Sequence, residues 1–120
     1  MKGKLFAISG PSGVGKNSVL SRVMQLRDRV QYSISATSRP MRPGEIDGKS
    51  YYFVTRAQFE QMIAAGELLE HAEYVGNYYG TPLKPILTAL EAGTDVVMDV
   101  DVVGALNIKK RLPEAVLVFL

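Results

Sequence analysis

The sequence predicts an α/β fold with a three-layer core, helices packed on both faces of a parallel sheet, and three observations predict it. Leu5-Phe6-Ala7-Ile8 is apolar at every position, the pattern of a strand buried on both faces. It leads into Gly10-Pro11-Ser12-Gly13-Val14-Gly15-Lys16-Asn17-Ser18, and a helical pattern follows at once. A second buried strand, Asp95-Val96-Val97-Met98-Asp99, ends in acid and precedes a helix over residues 102–111.

The elements follow in order. After the first strand, residues 17–27 place Val19, Leu20, Val23, Met24 and Leu26 at helical spacing, with Arg22, Gln25 and Arg27 largely on the other side. From Ser33 to Gly48 the sequence turns polar and turn-rich, with Pro40, Pro43, Gly44 and Gly48, so a functional loop is expected there. Tyr51-Tyr52-Phe53-Val54 restores strand character. Thr55 with Gln58 forms a capping box for a helix carrying Phe59, Met62 and Ile63, which Gly66 ends. Residues 68–80 read as two short strands around a turn containing Gly76 and Asn77. Thr81 then caps a helix reaching Gly93, with Pro82 in its first turn. Ala115 to Leu120 forms a further strand, and this apolar end is expected to present a sticky edge through which copies self-associate. It also suggests a fragment of a longer protein.

Composition limits the partners. The chain has 120 residues, 47% of them hydrophobic, enough for one core. Its 14 basic and 12 acidic residues leave a net charge of +2, which does not point to a general nucleic-acid binder. There are no cysteines and one histidine, so thiolate metal sites and disulfides are excluded. No run approaches the roughly 18 apolar residues of a membrane span, and the apolar opening is too short for a signal sequence, so the cytoplasm is the expected location.

The chemistry begins at residues 10–18. Glycines at 10, 13 and 15 let backbone N–H groups turn inward, the helix adds its positive end, and Lys16 supplies a cation for β- and γ-phosphates. The alternative is a glycine-rich turn with a chance lysine. A hydroxyl that meets Mg²⁺ commonly follows such a lysine, whereas here Asn17 stands there and the hydroxyl comes at Ser18. Asp99 and Asp101, at the end of a later strand, supply carboxylates near the expected Mg²⁺ position, with Ser18 and Asp99 the candidate metal-side residues. Asp101 could equally cap the next helix, and one side chain could do both.

A second cluster, Ser35-Ala36-Thr37-Ser38-Arg39-Pro40-Met41-Arg42-Pro43-Gly44-Glu45, sets two arginines around a stiffening proline. Planar cations there suit a phosphate monoester, and Tyr51 offers a phenolic donor. The alternative is a solvated basic loop. His71 reads as a half-buried packing residue, and Lys109-Lys110-Arg111 as a solvated complement to a helix C-terminus.

The segment from Ser35 to Tyr51, Glu70, Gly76-Asn77-Tyr78-Tyr79-Gly80-Thr81 and Asp99-Val100-Asp101 closely resembles guanylate kinase. The resemblance implies that Arg39, Arg42, Tyr51 and Tyr79 bind the GMP phosphate. It implies that Ser35, Glu70, Thr81 and Asp101 read the guanine, with the Ser35 and Thr81 hydroxyls donating to O6. Glu70 suits that role because a carboxylate accepts from both N1–H and the exocyclic amino group, a donor pair adenine lacks. Tyr78, by strand alternation, turns away from Tyr79. The implied organisation is a P-loop core over residues 1–34 and 82–120, and a small mixed α/β GMP-binding arm over residues 35–81.

The implied reaction transfers the γ-phosphate of ATP, carried with Mg²⁺, to GMP, with Lys16, Arg39 and Arg42 neutralising charge on the transferring group. Complete family members continue with a lid bearing further arginines and with adenine-contacting segments, and Val103 stands where the family commonly has glutamine. Two other readings remain. A guanylate-kinase-like interaction module would hold phosphorylated peptides, and a regulatory NTPase would need no guanine-reading set.

Overall fold

The computed structural model describes residues 2–10, 16–26 and 29–120. The chain divides into two compact units, one of residues Met1–Ser33 with Pro85–Leu120, the other of Ile34–Lys84.

The first unit holds strands β1 (Leu5–Ser9) and β2 (Val30–Tyr32), with helix α1 (Lys16–Leu26) between them in sequence. After the second unit's β3 (Ala36–Thr37), β4 (Tyr52–Phe53), α2 (Arg56–Ala64), β5 (Leu68–Tyr74) and β6 (Asn77–Pro82), the first unit resumes at Pro85 within α3 (Leu83–Glu91) and continues with β7 (Asp95–Asp99), α4 (Val102–Arg111) and β8 (Val116–Phe119). Its sheet has the order β2-β7-β1-β8, and every pair is parallel. Parallel strands need covering on both faces, which explains the unbroken apolar runs of β1 and β7, where Ala7, Val96 and Val97 are buried. Ile8, Leu20 and Val97 form a core cluster with Val30 and Val118 packed against it.

Because β1 and β7 run in the same direction with Ile8 opposite Asp99, the exit towards the glycine-rich loop and the acidic end of β7 share one edge of the sheet. The Val100 N–H donates to the Ile8 carbonyl at 3.1 Å and holds that edge closed. At the same edge Asp101 caps α4, its carboxylate accepting from the Gly104 N–H. No helix of the described residues is long and apolar enough to cross a membrane.

The second unit pairs β3 (Ala36–Thr37), β4 (Tyr52–Phe53), β5 (Leu68–Tyr74) and β6 (Asn77–Pro82) in the order β4-β3-β6-β5, with α2 (Arg56–Ala64) between β4 and β5 in sequence. The α2 capping box is complete, with Thr55 accepting from the Gln58 N–H and Gln58 returning to the Thr55 N–H. One face of the sheet packs on this helix, in a core of Ala36, Phe59 and Leu68 joined by Tyr52, Val54, Met62, Ile63 and Tyr78.

Gly80 makes that closeness possible. A Cβ there would lie 2.9 Å from the Glu70 carbonyl oxygen and 2.9 Å from Phe59 Cζ, so only glycine fits without something moving.

Four expectations need correction. Thr81 and Pro82 belong to β6 rather than to a helix start, because cross-strand pairing with Leu68 and Glu70 outcompetes a Thr-Pro capping signal. The helix starts at Leu83, where Pro85 still falls in the first turn, the place that lacks intrahelical N–H partners. The Ser33–Gly48 stretch is not all loop, since Ala36 and Thr37 form β3, one of the second unit's two inner strands. His71 is exposed on β5 rather than half-buried; Lys109, Lys110 and Arg111 are exposed in the last turn of α4 as expected, and the one detail to correct is that Lys109 also donates to the Ala115 carbonyl at 2.7 Å.

Candidate functional site

Strand alternation sorts the second unit's side chains. In β6, Tyr78 and Gly80 lie towards α2, which puts Tyr79 and Thr81 on the other face. Thr37 pairs with Tyr79 across β3 and β6, and Glu70 pairs with Thr81 across β5 and β6, so these four share the face turned away from α2, open in the sense that α2 does not cover it, on which Thr37 and Thr81 are themselves buried. Tyr51 and Phe53 flank the inward-facing Tyr52 and join them from β4. The two neighbouring tyrosines of β6 thus have different surroundings. Tyr78 stacks on Phe59 with ring centroids 4.9 Å apart, while Tyr79 lies edge-on to Tyr51 at 6.2 Å.

Arg39 organises one end of the open face. Arg39 is only 7% exposed, unusual for a guanidinium and permitted by the partners around it. Nη1 and Nη2 donate to the two carboxylate oxygens of Glu45 at 3.0 and 2.8 Å, a bidentate pair, and Nη1 also donates to the Pro40 carbonyl. The cation lies over the Tyr51 ring at 5.2 Å and the Phe53 ring at 5.8 Å. Glu45 in turn accepts from the Arg42 N–H at 2.7 Å, so one carboxylate ties both arginine positions together. The hydrogen bonds from Arg39, with that from Arg42, pull the Glu45 carboxyl down from 4.5 to about 2. The same pairing raises the Arg39 pKa, with smaller contributions from Tyr79. Arg42 itself is exposed.

At the other end, the buried Thr81 hydroxyl donates to Glu70 Oε1 at 2.7 Å. A hydroxyl carries one proton, and an ionised carboxylate only accepts. Thr81 therefore orients Glu70 in this structure. Ser35 immediately precedes β3, and its carbonyl accepts from the Tyr52 N–H at 2.8 Å.

The remaining expected residues belong to the first unit. Gly10 follows β1, Lys16, Asn17 and Ser18 open α1, and Asp99 and Asp101 stand at the end of β7 and the start of α4. Pro11, Ser12, Gly13, Val14 and Gly15 lie outside the described residues. Sequence reasoning gave no role to Glu45, Phe53, Thr37 or Ser38. Glu45 lies six residues from its partner along an irregular loop, where no periodicity links the two; its one signal was its place at the end of the arginine-bearing segment.

Fold and site together define a P-loop α/β protein with a small sheet unit inserted in its sequence. The family model described as guanylate kinase matches residues 2–120, and the chain belongs to the guanylate kinase family. It is 51% identical over 119 residues to a guanylate kinase of Lactococcus lactis, covering 99% of this chain and 58% of that one. It is 52% identical over 120 residues to one of Thermus thermophilus, covering 100% of this chain and 54% of the other. A crystal structure of guanylate kinase from Anaplasma phagocytophilum superposes with a TM-score of 0.78 at 31% identity, covering 98% of this chain and 59% of that one. The chain thus spans somewhat over half the length of the relatives it matches.

Proposed function

We propose that this chain carries the phosphate loop and the acceptor site of a guanylate kinase, which moves the γ-phosphate of ATP onto GMP to give ADP and GDP. The observation that carries the reading is the open face of the second unit's sheet. Arg39, Tyr51 and Tyr79 gather at one end of it, and the Thr81-oriented Glu70 stands on the same face. The first group suits a phosphate and the second a base with two adjacent N–H donors, and GMP has both.

In this reading residues 35–81 are the GMP-binding arm, and residues 1–34 and 82–120 the P-loop core. Arg39, Arg42, Tyr51 and Tyr79 hold the GMP phosphate, while Ser35, Glu70, Thr81 and Asp101 read the guanine, with Thr81 also orienting Glu70. Gly10 to Ser18 hold the ATP phosphates, with Lys16 on the β- and γ-oxygens. Ser18 and Asp99 offer the hydroxyl and carboxylate oxygens that suit Mg²⁺. That ion, when bound with ATP, neutralises charge on the phosphate oxygens. The protein's own contribution is alignment of the acceptor oxygen with the γ-phosphorus, with Lys16, Arg39 and Arg42 supplying positive charge.

Replacing Glu70 by glutamine tests this directly. The variant keeps the shape but turns one acceptor into a donor facing the guanine amino edge. GMP binding is expected to weaken roughly 10- to 100-fold, with AMP binding unchanged. Equal GMP affinity in the variant would remove Glu70 from base reading. The pairing of Glu70 with Thr81 is what favours this function over a phosphopeptide-binding module, which requires the phosphate end alone.

A further inference from the structure

Between the two ends of the open face, Thr37 and Ser38 grip the backbone N–H and carbonyl of one residue of the neighbouring strand, Tyr78. Thr37 is completely buried, and its hydroxyl donates to the Tyr78 carbonyl at 2.8 Å while accepting from the Arg39 N–H at 3.1 Å. Ser38 grips the same residue, its N–H donating to the Tyr78 carbonyl at 3.1 Å and its hydroxyl accepting from the Tyr78 N–H at 2.9 Å. The β3 strand stops at Thr37, so here two hydroxyls continue the hydrogen bonding to β6 after the backbone has turned away towards Arg39.

The consequence is geometric. Arg39 follows this turn directly, and Tyr79 is the residue after the gripped Tyr78, so the main chains of both are tied through one buried oxygen, Thr37 Oγ1. We infer that the Thr37 and Ser38 hydroxyls form a latch that positions Arg39 and Tyr79 relative to each other for the phosphate of the nucleoside monophosphate. Both are positioning residues, acting on the ligand through others. The inference rests on the function proposed above and names the groups that hold its phosphate end in register.

Calorimetric titration with GMP and with guanosine, which lacks the phosphate, isolates this role. Thr37→Val replaces the hydroxyl by a methyl of nearly the same size, leaving the Tyr78 carbonyl and the Arg39 N–H without that partner. GMP affinity is expected to fall on the order of 10-fold while guanosine affinity stays at the wild-type value, and Thr37→Ser is expected to restore GMP binding. Ser38→Ala, at a half-buried position where truncation is mild, is expected to show the same selective loss, a few-fold in size. It provides the reading if Thr37→Val does not fold. Wild-type GMP affinity in the folded variants overturns the latch alone, as does an equal loss of GMP and guanosine, which marks a scaffold role. Failure of Thr37→Ser to recover GMP binding also overturns it. Wild-type protein that binds neither ligand overturns the proposed function, and the latch with it.

Discussion

A buried arginine is stable only when its charge is answered, and Arg39 is answered by Glu45 on one side and by the faces of Tyr51 and Phe53 on the others. This arrangement fixes the guanidinium in the ligand-free structure, so in the proposed function less freedom would be lost on binding a phosphate. It also predicts a pH dependence with a definite sign. The folded-state pKa of Glu45 lies below its ordinary value, about 2 against 4.5, so its ionised form is favoured by folding. The resulting stabilisation is fully present above about pH 4.5 and is lost as pH falls towards 2. Denaturant midpoints of wild type and Glu45→Gln should therefore differ by a constant amount above pH 5 and converge between pH 4.5 and 2. A gap that widens on acidification would contradict the assignment of that carboxylate.

At the level of elements, the β5–β6 hairpin and α2 set the site's geometry, and two positions show how little slack they have. Gly80 lies against Phe59 and the Glu70 backbone, so Gly80→Ala forces the helix or the strand bearing Glu70 to shift. An overpacking loss of roughly 1–3 kcal/mol is expected in equilibrium unfolding, with weaker GMP binding alongside. The hairpin tip has the opposite problem. Tyr74 pairs with Asn77, which leaves Val75 and Gly76 as a two-residue turn with φ of 50° and 78°. Both positions in such a turn favour Asn or Gly, and a β-branched residue is strained there. Val75→Asn, at an exposed site, is expected to stabilise the unit by about 1 kcal/mol, read as a raised midpoint of thermal unfolding.

These elements also mark where the sequence was legible. The buried strands β1 and β7 and the capping box of α2 each depend on neighbouring residues, and pattern alone found them. The strands β2 and β3 are three and two residues long, and their pairing partners lie far away in the chain, so no local period announces them. Thr81-Pro82 resembled a helix start for a sound local reason, and only the partner strand β5 overrules it. Among site residues, Arg39 stood out by type and Glu70 only through the family resemblance, whereas Glu45, Thr37 and Ser38 act through partners that only the folded chain brings together.

For the whole molecule, the two units divide the labour that the proposed function requires. The first presents the exit of β1, the start of α1 and the acidic end of β7 at one sheet edge, the usual ligand crevice of an open α/β sheet. The second carries the open face with Arg39 and Glu70. Donor and acceptor binding should then be separable by mutation. Lys16→Ala is expected to abolish phosphoryl transfer in the complete protein while leaving GMP affinity within about two-fold of wild type, since the proposed function puts the lysine on the ATP phosphates. Equal loss of transfer and GMP binding would sink the division.

The central claim is that one face of the second unit recognises a guanine nucleotide monophosphate. Titrating the 120-residue chain with GMP, and separately with AMP, in a calorimeter tests it most directly. The account predicts saturable binding of GMP and at least 100-fold weaker binding of AMP, on the order expected where a carboxylate built to accept two base N–H donors meets a base lacking that pair. Comparable affinity for the two nucleotides, or binding of neither, would contradict it.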